Sequence, residues 1–198
     1  LLFVIYVSDL LQNVHLATGQ AAAVAFKYAD DGSVMVAADS MSACYNHMQR
    51  ICDNLSSWCK RWRLVINCSK NKTEAVIVRS RDSASTVLGN LTISGKEIQY
   101  VKKSKVLGVI VDEEMSFKTH AQAVLKSCWF EWHRLSSLTT RKRGLNCSTL
   151  TILFKTAVLT KLLYSAPVWL YGNEEIFKAF LAKVLFKISG SQFYSSNA

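Results

Sequence analysis

Apolar residues along this chain fall into runs whose spacing alternates between strand-like and helix-like periods, and each period predicts an element. Residues 1–11, dense in Leu, Val and Ile, read as the end of a buried helix. Two short apolar runs at 24–28 and 33–37 flank Ala29-Asp30-Asp31-Gly32, a turn signal, and together predict a β-hairpin. The clearest helix comes next. Met41, Cys44, Tyr45, Met48, Ile51, Cys52, Leu55, Trp58, Cys59 and Trp62 fall on one helical stripe. Asp39 or Ser40 can cap its start, and Lys60, Arg61 and Arg63 suit the negative end of its dipole. From 40 to 63 such a helix is roughly 36 Å long.

Beyond it the pattern predicts a polar loop at 67–73, a strand at 74–78 and a polar, Ser-rich connector at 79–90. Short strands are expected at 91–93, 97–101 and 105–111, with Ser94-Gly95 as a turn. After Asp112 the period becomes helical. Helices are expected at 117–138, 148–164 and 174–188, broken at Gly144, Pro167 and Gly172. The fold class is therefore α+β, with a mixed part over residues 1–112 and a helical part over 113–198. Lys155 and Lys161 interrupt the apolar stretch 150–163, and a lysine near mid-bilayer costs about 2.5–3.5 kcal/mol. A buried helix is expected there rather than a membrane span.

Composition narrows the picture. The 198 residues are 50% hydrophobic, enough to bury a core and exclude wholesale disorder. Six cysteines without a Cys-x-x-Cys pair exclude a disulfide scaffold and a zinc ribbon. Cys44, Cys52 and Cys59 share the apolar stripe of the long helix and read as core thiols in a reducing compartment. His120, Cys128, His133 and Cys147 do not match metal-ligand spacings. The chain begins at Leu1 in mid-pattern and is read as a fragment. It shows no signal-peptide pattern, so an intracellular protein is expected, and the Asn-x-Ser/Thr sequences carry little weight.

Charge placement suggests a polyanionic partner. The net charge is +10, but residues 1–59 hold two basic and five acidic residues while 60–198 hold 22 basic and nine acidic ones. Arg141-Lys142-Arg143 follows Trp129, Phe130 and Trp132. Basic residues beside aromatics suit a nucleic-acid backbone; the alternative is that the aromatics face the core and the triplet ends a helix.

The strongest chemical signal is Asp30-Asp31 at the hairpin tip. Adjacent carboxylates raise each other's pKa unless a cation sits between them. Hard cations such as Mg²⁺ take carboxylate oxygens, and a pair of them can activate a hydroxyl and stabilise a leaving oxygen in phosphoryl transfer. The competing reading is that Asp-Asp-Gly is good turn chemistry and nothing more.

The flanking residues favour the metal. Phe26-Lys27-Tyr28-Ala29-Asp30-Asp31 resembles the catalytic hairpin of reverse transcriptases, in the form found in non-LTR (LINE-type) retrotransposons. Other segments resemble that family in the same order. Residues 1–10 are similar to the stretch after its Gly-rich template-contacting motif. Asn67-Cys-Ser-Lys70-Asn-Lys72-Thr73-Glu74, after Trp58, Trp62 and Leu64, resembles its Asn…Lys-Thr-Glu motif. Lys105-Val-Leu107-Gly108-Val109-Ile-Val-Asp112, with Phe117 and His120, resembles the stretch around its primer grip. Tyr164-x-x-Pro167-x-Trp169 resembles its thumb-side helix. The resemblance covers nearly the whole chain.

It implies a partial polymerase palm, an antiparallel sheet packed on helices, over 1–112, followed by a thumb-like helical part. It implies Asp30 as main metal ligand, Asp31 as auxiliary ligand, and two Mg²⁺ ions in the intact enzyme. Tyr28 would lie under the primer end. Lys72, with Lys70 as the alternative, would meet the incoming nucleotide's phosphates as a mobile point charge. Leu107, Gly108 and Val109 would support the primer strand. His120 is expected to pack or cap rather than catalyse. RNA template, DNA primer, deoxynucleoside triphosphates and an N-terminal part of the same polypeptide are the implied partners. A third palm carboxylate and the fingers are absent from this sequence, so the expectation is a fragment without polymerase activity alone. The alternatives are a degenerate, non-enzymatic relic, a passive nucleic-acid binder or a helical interaction module.

Overall fold

A computed structural model describes residues 9–10, 21–69, 71–78, 89–137 and 147–189. Most of the expected N-terminal helix, Lys70, most of the Ser-rich connector, Arg141, Lys142, Arg143 and Gly144 lie outside the described residues. The chain divides into two compact units, Leu1–Gly108 and Val109–Ala198. The architecture is α+β.

In the first unit, β1 (Ala21–Tyr28) and β2 (Asp31–Ala38) form the expected antiparallel hairpin. Helix α1 (Met41–Trp62) follows. Of the two candidate caps, Ser40 takes the role, its hydroxyl accepting the Ala43 N–H at 3.1 Å. At the other end Arg63 turns left-handed at φ 55°, and the Leu64 N–H donates to the Cys59 carbonyl at 2.9 Å, closing the helix.

The remaining strands are shorter than the apolar runs suggest. They are β3 (Glu74–Ala75), β4 (Thr92–Ile93), β5 (Lys96–Glu97), β6 (Gln99–Tyr100) and β7 (Lys103–Val106). The expected strand 74–78 keeps only its first two residues. The expected strand 105–111 is broken at its centre, where Leu107 and Gly108 take φ 46° and 90°. Two successive positive φ values make a two-residue turn. Instead of one antiparallel sheet there are two-stranded pieces, β1 with β2, β4 with β5, and β3 with β6, the last pair parallel.

Helix α1 carries these pieces on two faces. Ile51 and Leu55 pack against Ala23, Ala25, Val34 and Val36 of the first hairpin. Tyr45, Met48, Cys52 and Leu55 pack with Leu91, Ile93 and Ile98 around β4 and β5. Polar side chains on the same helix fasten the second hairpin. The Gln49 amide donates to the Thr92 carbonyl at 3.0 Å and accepts the Thr92 N–H at 2.9 Å, standing in for a neighbouring strand. Ser56 Oγ accepts the Ser94 N–H at 2.7 Å.

The second unit begins with β8 (Val109–Asp112) and continues into α2 (Lys118–Ser137). The helix expected over 148–164 forms as α3 (Cys147–Leu153), a π-helical stretch (Phe154–Leu159) and α4 (Thr160–Leu163). Pro167 does not merely break structure. It sits in the first turn of a short helix, α5 (Ala166–Trp169), where its missing N–H costs nothing. Then α6 (Glu175–Ser189) completes the unit. The core gathers Ala121, Cys128, Trp132, Val158, Leu162, Trp169, Phe177, Phe180 and Val184. No helix of the described residues is long and apolar enough to cross a membrane.

Candidate active site

The hairpin is a two-faced ribbon. Side chains alternate across a strand, so Ala23 and Ala25 with Val34 and Val36 turn toward α1. Val24, Phe26, Tyr28 and Met35 lie on the opposite face, where Tyr28 is 69% exposed and Phe26 54%. The register pairs Val24 with Met35, Phe26 with Ser33 and Tyr28 with Asp31. Tyr28 and Asp31 therefore project on the same face at the tip.

The turn itself is Ala29-Asp30, one residue earlier than Asp-Asp-Gly suggests. Ala29 takes φ 53°, a left-handed conformation costing an L-residue about 1–2 kcal/mol. Both Asp30 and Asp31 are exposed, and among the described residues neither is in an ion pair. Two neighbouring, solvated, unpaired carboxylates are the oxygen ligands a hard divalent cation takes. No group of three or more His, Cys, Asp and Glu residues able to hold a metal occurs among the described residues. The tip thus fits Mg²⁺ chemically but supplies only part of a ligand set.

Lys72 stands exposed on the loop after α1. That loop is closed by its own polar bonds. The Ser69 N–H and hydroxyl donate to Asn67 Oδ1 at 3.1 and 2.6 Å, the Lys72 N–H donates to the Ser69 carbonyl at 3.1 Å, and the Thr73 hydroxyl donates to the Asn67 carbonyl at 2.9 Å. Downstream, Leu107 is 47% exposed at the tight turn beside Gly108. Gly108 is thus a turn glycine, and Val109 is buried at the start of β8.

The Asp112…His120 stretch serves structure. Asp112 Oδ1 accepts the Ser116 N–H at 2.9 Å and the Glu114 N–H at 3.2 Å, stabilising a loop in which Met115 and Phe117 both have positive φ. His120 is buried, accepts the Ile110 N–H on Nδ1 at 3.3 Å and meets Trp169 edge-on at 5.2 Å. Trp169, wholly buried, donates its indole N–H to the Tyr164 carbonyl at 2.9 Å. Asn173, also buried, bridges the Ser116 and Trp169 carbonyls at 3.1 and 2.9 Å. On α2 the three aromatics divide. Trp132 is buried, Trp129 packs edge-on against Phe180 at 4.8 Å, and Phe130 is 63% exposed with the Arg134 guanidinium 5.8 Å from its ring centre.

Sequence reading passes over Ser104 and gives Glu74 no role beyond its place in the Lys-Thr-Glu motif. The Ser104 hydroxyl donates to Glu74 Oε2 at 2.7 Å, joining β7 to the strand that leaves the Lys72 loop. Nothing in local spacing marks this bond, which spans 30 residues.

The chain is related over most of its length to the RNA-directed DNA polymerases of non-LTR retrotransposons. It is 28% identical, over 87% of its length, to a probable RNA-directed DNA polymerase from transposon BS of Drosophila melanogaster. It is 24% identical, over 98% of its length, to the RNA-directed DNA polymerase from mobile element jockey of Drosophila funebris. A Pol polyprotein from type-1 retrotransposable element R1 of Bradysia coprophila matches 72% of the chain at 27% identity. The chain spans about a fifth of the first two relatives' length, 18% and 21% respectively, and 14% of the third. No protein-family model and no solved structure matches it.

Proposed function

We propose that this chain is the palm and thumb portion of a retrotransposon RNA-directed DNA polymerase. The reaction is transfer of a nucleotidyl group from a deoxynucleoside triphosphate to the 3′-hydroxyl of a DNA primer on an RNA template. The single observation that carries the reading is the exposed Asp30-Asp31 pair, without an ion pair among the described residues, at the tip of a buried-backed hairpin, in a chain whose relatives are named as such polymerases.

Asp30 and Asp31 would hold Mg²⁺, which when bound supplies charge stabilisation for the attacking and leaving oxygens. The other roles belong to the chain's own groups. Asp31 and Tyr28 share a face, so an aromatic surface lies beside the acidic pair to carry the primer's last base. Lys72 offers an exposed ammonium on a closed loop, suited to the triphosphate as a mobile point charge and proton donor. Lys70 remains the alternative for that role. Leu107 and Gly108 present a tight turn to the primer strand, with Val109 anchoring the strand behind it. Arg141, Lys142 and Arg143 would contact the nucleic-acid backbone. The region through residue 112 corresponds in this reading to the palm and the rest to the thumb. The protein acts inside the cell.

Two carboxylates on one hairpin are an incomplete set for two metals. The remaining oxygen ligands and the fingers would come from sequence matching the rest of the relatives' length. Primer extension on an RNA template tests both statements. The chain alone should extend no primer. Within a complete polymerase reading frame it should do so, and Asp30→Asn should lower the rate about a thousandfold, the several kcal/mol expected of a metal clamp. Asp30-dependent synthesis by the chain alone would refute the incomplete site. Binding of primer–template without extension in the complete frame would refute the polymerase reading and leave a passive binder.

A further inference from the structure

We propose that Ser104 is a positioning residue for Lys72, acting through Glu74. The inference rests on the polymerase reading and adds a residue to that same site. Residues 67–69 and 71–73 are tied to one another through the Asn67, Ser69 and Thr73 bonds described above, but those bonds do not fix where the segment bearing Lys72 stands. Ile66 and Cys68 seat its start on the cluster around Cys52, Leu91 and Ile93, so the end that carries Lys72 takes its position where the loop leaves, at Glu74.

There the backbone has little hold. The strand is two residues long, pairing Glu74 with Gln99 and Ala75 with Tyr100, and the Val101 N–H adds a bond to the Ala75 carbonyl at 2.9 Å. Ala75 packs on the cluster around Cys52, and the Ser104 hydroxyl adds a side-chain tie to Glu74 Oε2 at 2.7 Å. A hydrogen bond to an ionised carboxylate is roughly twice as strong as a neutral one. Ser104 lies on β7, three residues before Leu107 and the primer-supporting turn. One hydroxyl thus joins the segment bearing the nucleotide-facing lysine to the strand entering the primer turn.

The same bond settles a charge problem. Glu74 lies two residues from Lys72 and could pair with it. Among the described residues neither side chain is in an ion pair, and the carboxylate is engaged by Ser104 instead. The ammonium is left available to a polyphosphate.

The test uses the complete polymerase carrying this segment, with Ser104→Ala, Ser104→Thr and Lys72→Ala. Ser104→Ala should lower kcat/KM for deoxynucleotide about tenfold, as expected of a misplaced catalytic group, with the primer–template Kd unchanged. Ser104→Thr, which keeps the hydroxyl, should restore it. In the Lys72→Ala background Ser104→Ala should cost nothing further, because the two act as one unit. Wild-type rates in Ser104→Ala, or losses that add fully to those of Lys72→Ala, would overturn the proposal. Amide exchange on the chain itself is the second readout. Exchange at 71–75 should quicken in Ser104→Ala and not in Ser104→Thr, and unchanged exchange would also overturn it. A wild-type rate in Asp30→Asn would refute the polymerase reading instead, and the exchange measurement would still decide whether Ser104 fixes the loop.

Discussion

Burial pushes the Cys52 thiol up to about 11, with smaller contributions from Asp53 and Cys68. Burial likewise raises Cys44, Cys59 and Cys128. Only the thiolate is nucleophilic, so burial keeps Cys52 in its protonated, unreactive form at pH 8. Iodoacetamide at pH 8 should leave Cys52 unmodified in the native chain and label it in urea, which mass spectrometry would resolve. The raised value also sets a sign. Above the ordinary thiol value of 9.0 the unfolded chain loses this proton first, so stability falls as pH rises from there through about 11. Urea midpoints across that range check it. The helical stripe makes Cys52 and Cys59 legible as buried thiols, while Cys44 on the same stripe is half-buried and the burial of Cys128 has no such signal. The acidic tip is legible only in part. A hairpin around residues 29–32 follows from turn chemistry, but its register does not. The turn puts Ala29 at positive φ, which no propensity favours. Long-range packing of Val34 and Val36 on α1 sets which residues face inward, and the turn takes what register is left.

At the scale of elements, α1 is readable to within a residue because capping, stripe and basic end all agree. The strands are not. Leu107 and Gly108 sit in an unbroken apolar run and look like mid-strand residues, yet they make a turn. The strands β4 and β5 are held by α1 as well as by their own pairing. That dependence is testable at Gln49, whose amide serves both backbone groups of Thr92. Gln49→Leu leaves those groups without protein partners, a cost of about 1–3 kcal/mol. The urea midpoint should fall accordingly, with amide exchange quickening at 91–98. Loss of stability without faster exchange there would count against Gln49 as the fastener.

Across the whole molecule the charge asymmetry read from composition is the feature least dependent on local folding. Counterion release makes polyanion affinity fall steeply with salt, with a slope near 0.7–0.9 per phosphate neutralised. The chain should bind a primer–template duplex with such a slope. Charge reversal of Arg141, Lys142 and Arg143 should flatten it by about one unit for each phosphate left without its cation. Anisotropy titrations from low to high salt measure this, and an unchanged slope would remove the triplet from the interface.

One helix underlies much of the first unit. Leu55 of α1 belongs to both hydrophobic clusters, the one beneath the acidic hairpin and the one beneath the second hairpin. The two β pieces share no ladder with each other among the described residues. Leu55 therefore couples them through α1, and thermal opening of either piece should loosen the seat of the other. The seat of the acidic hairpin is then inherited from α1, so a variant that frays α1 should disorder the hairpin tip before it unfolds the chain.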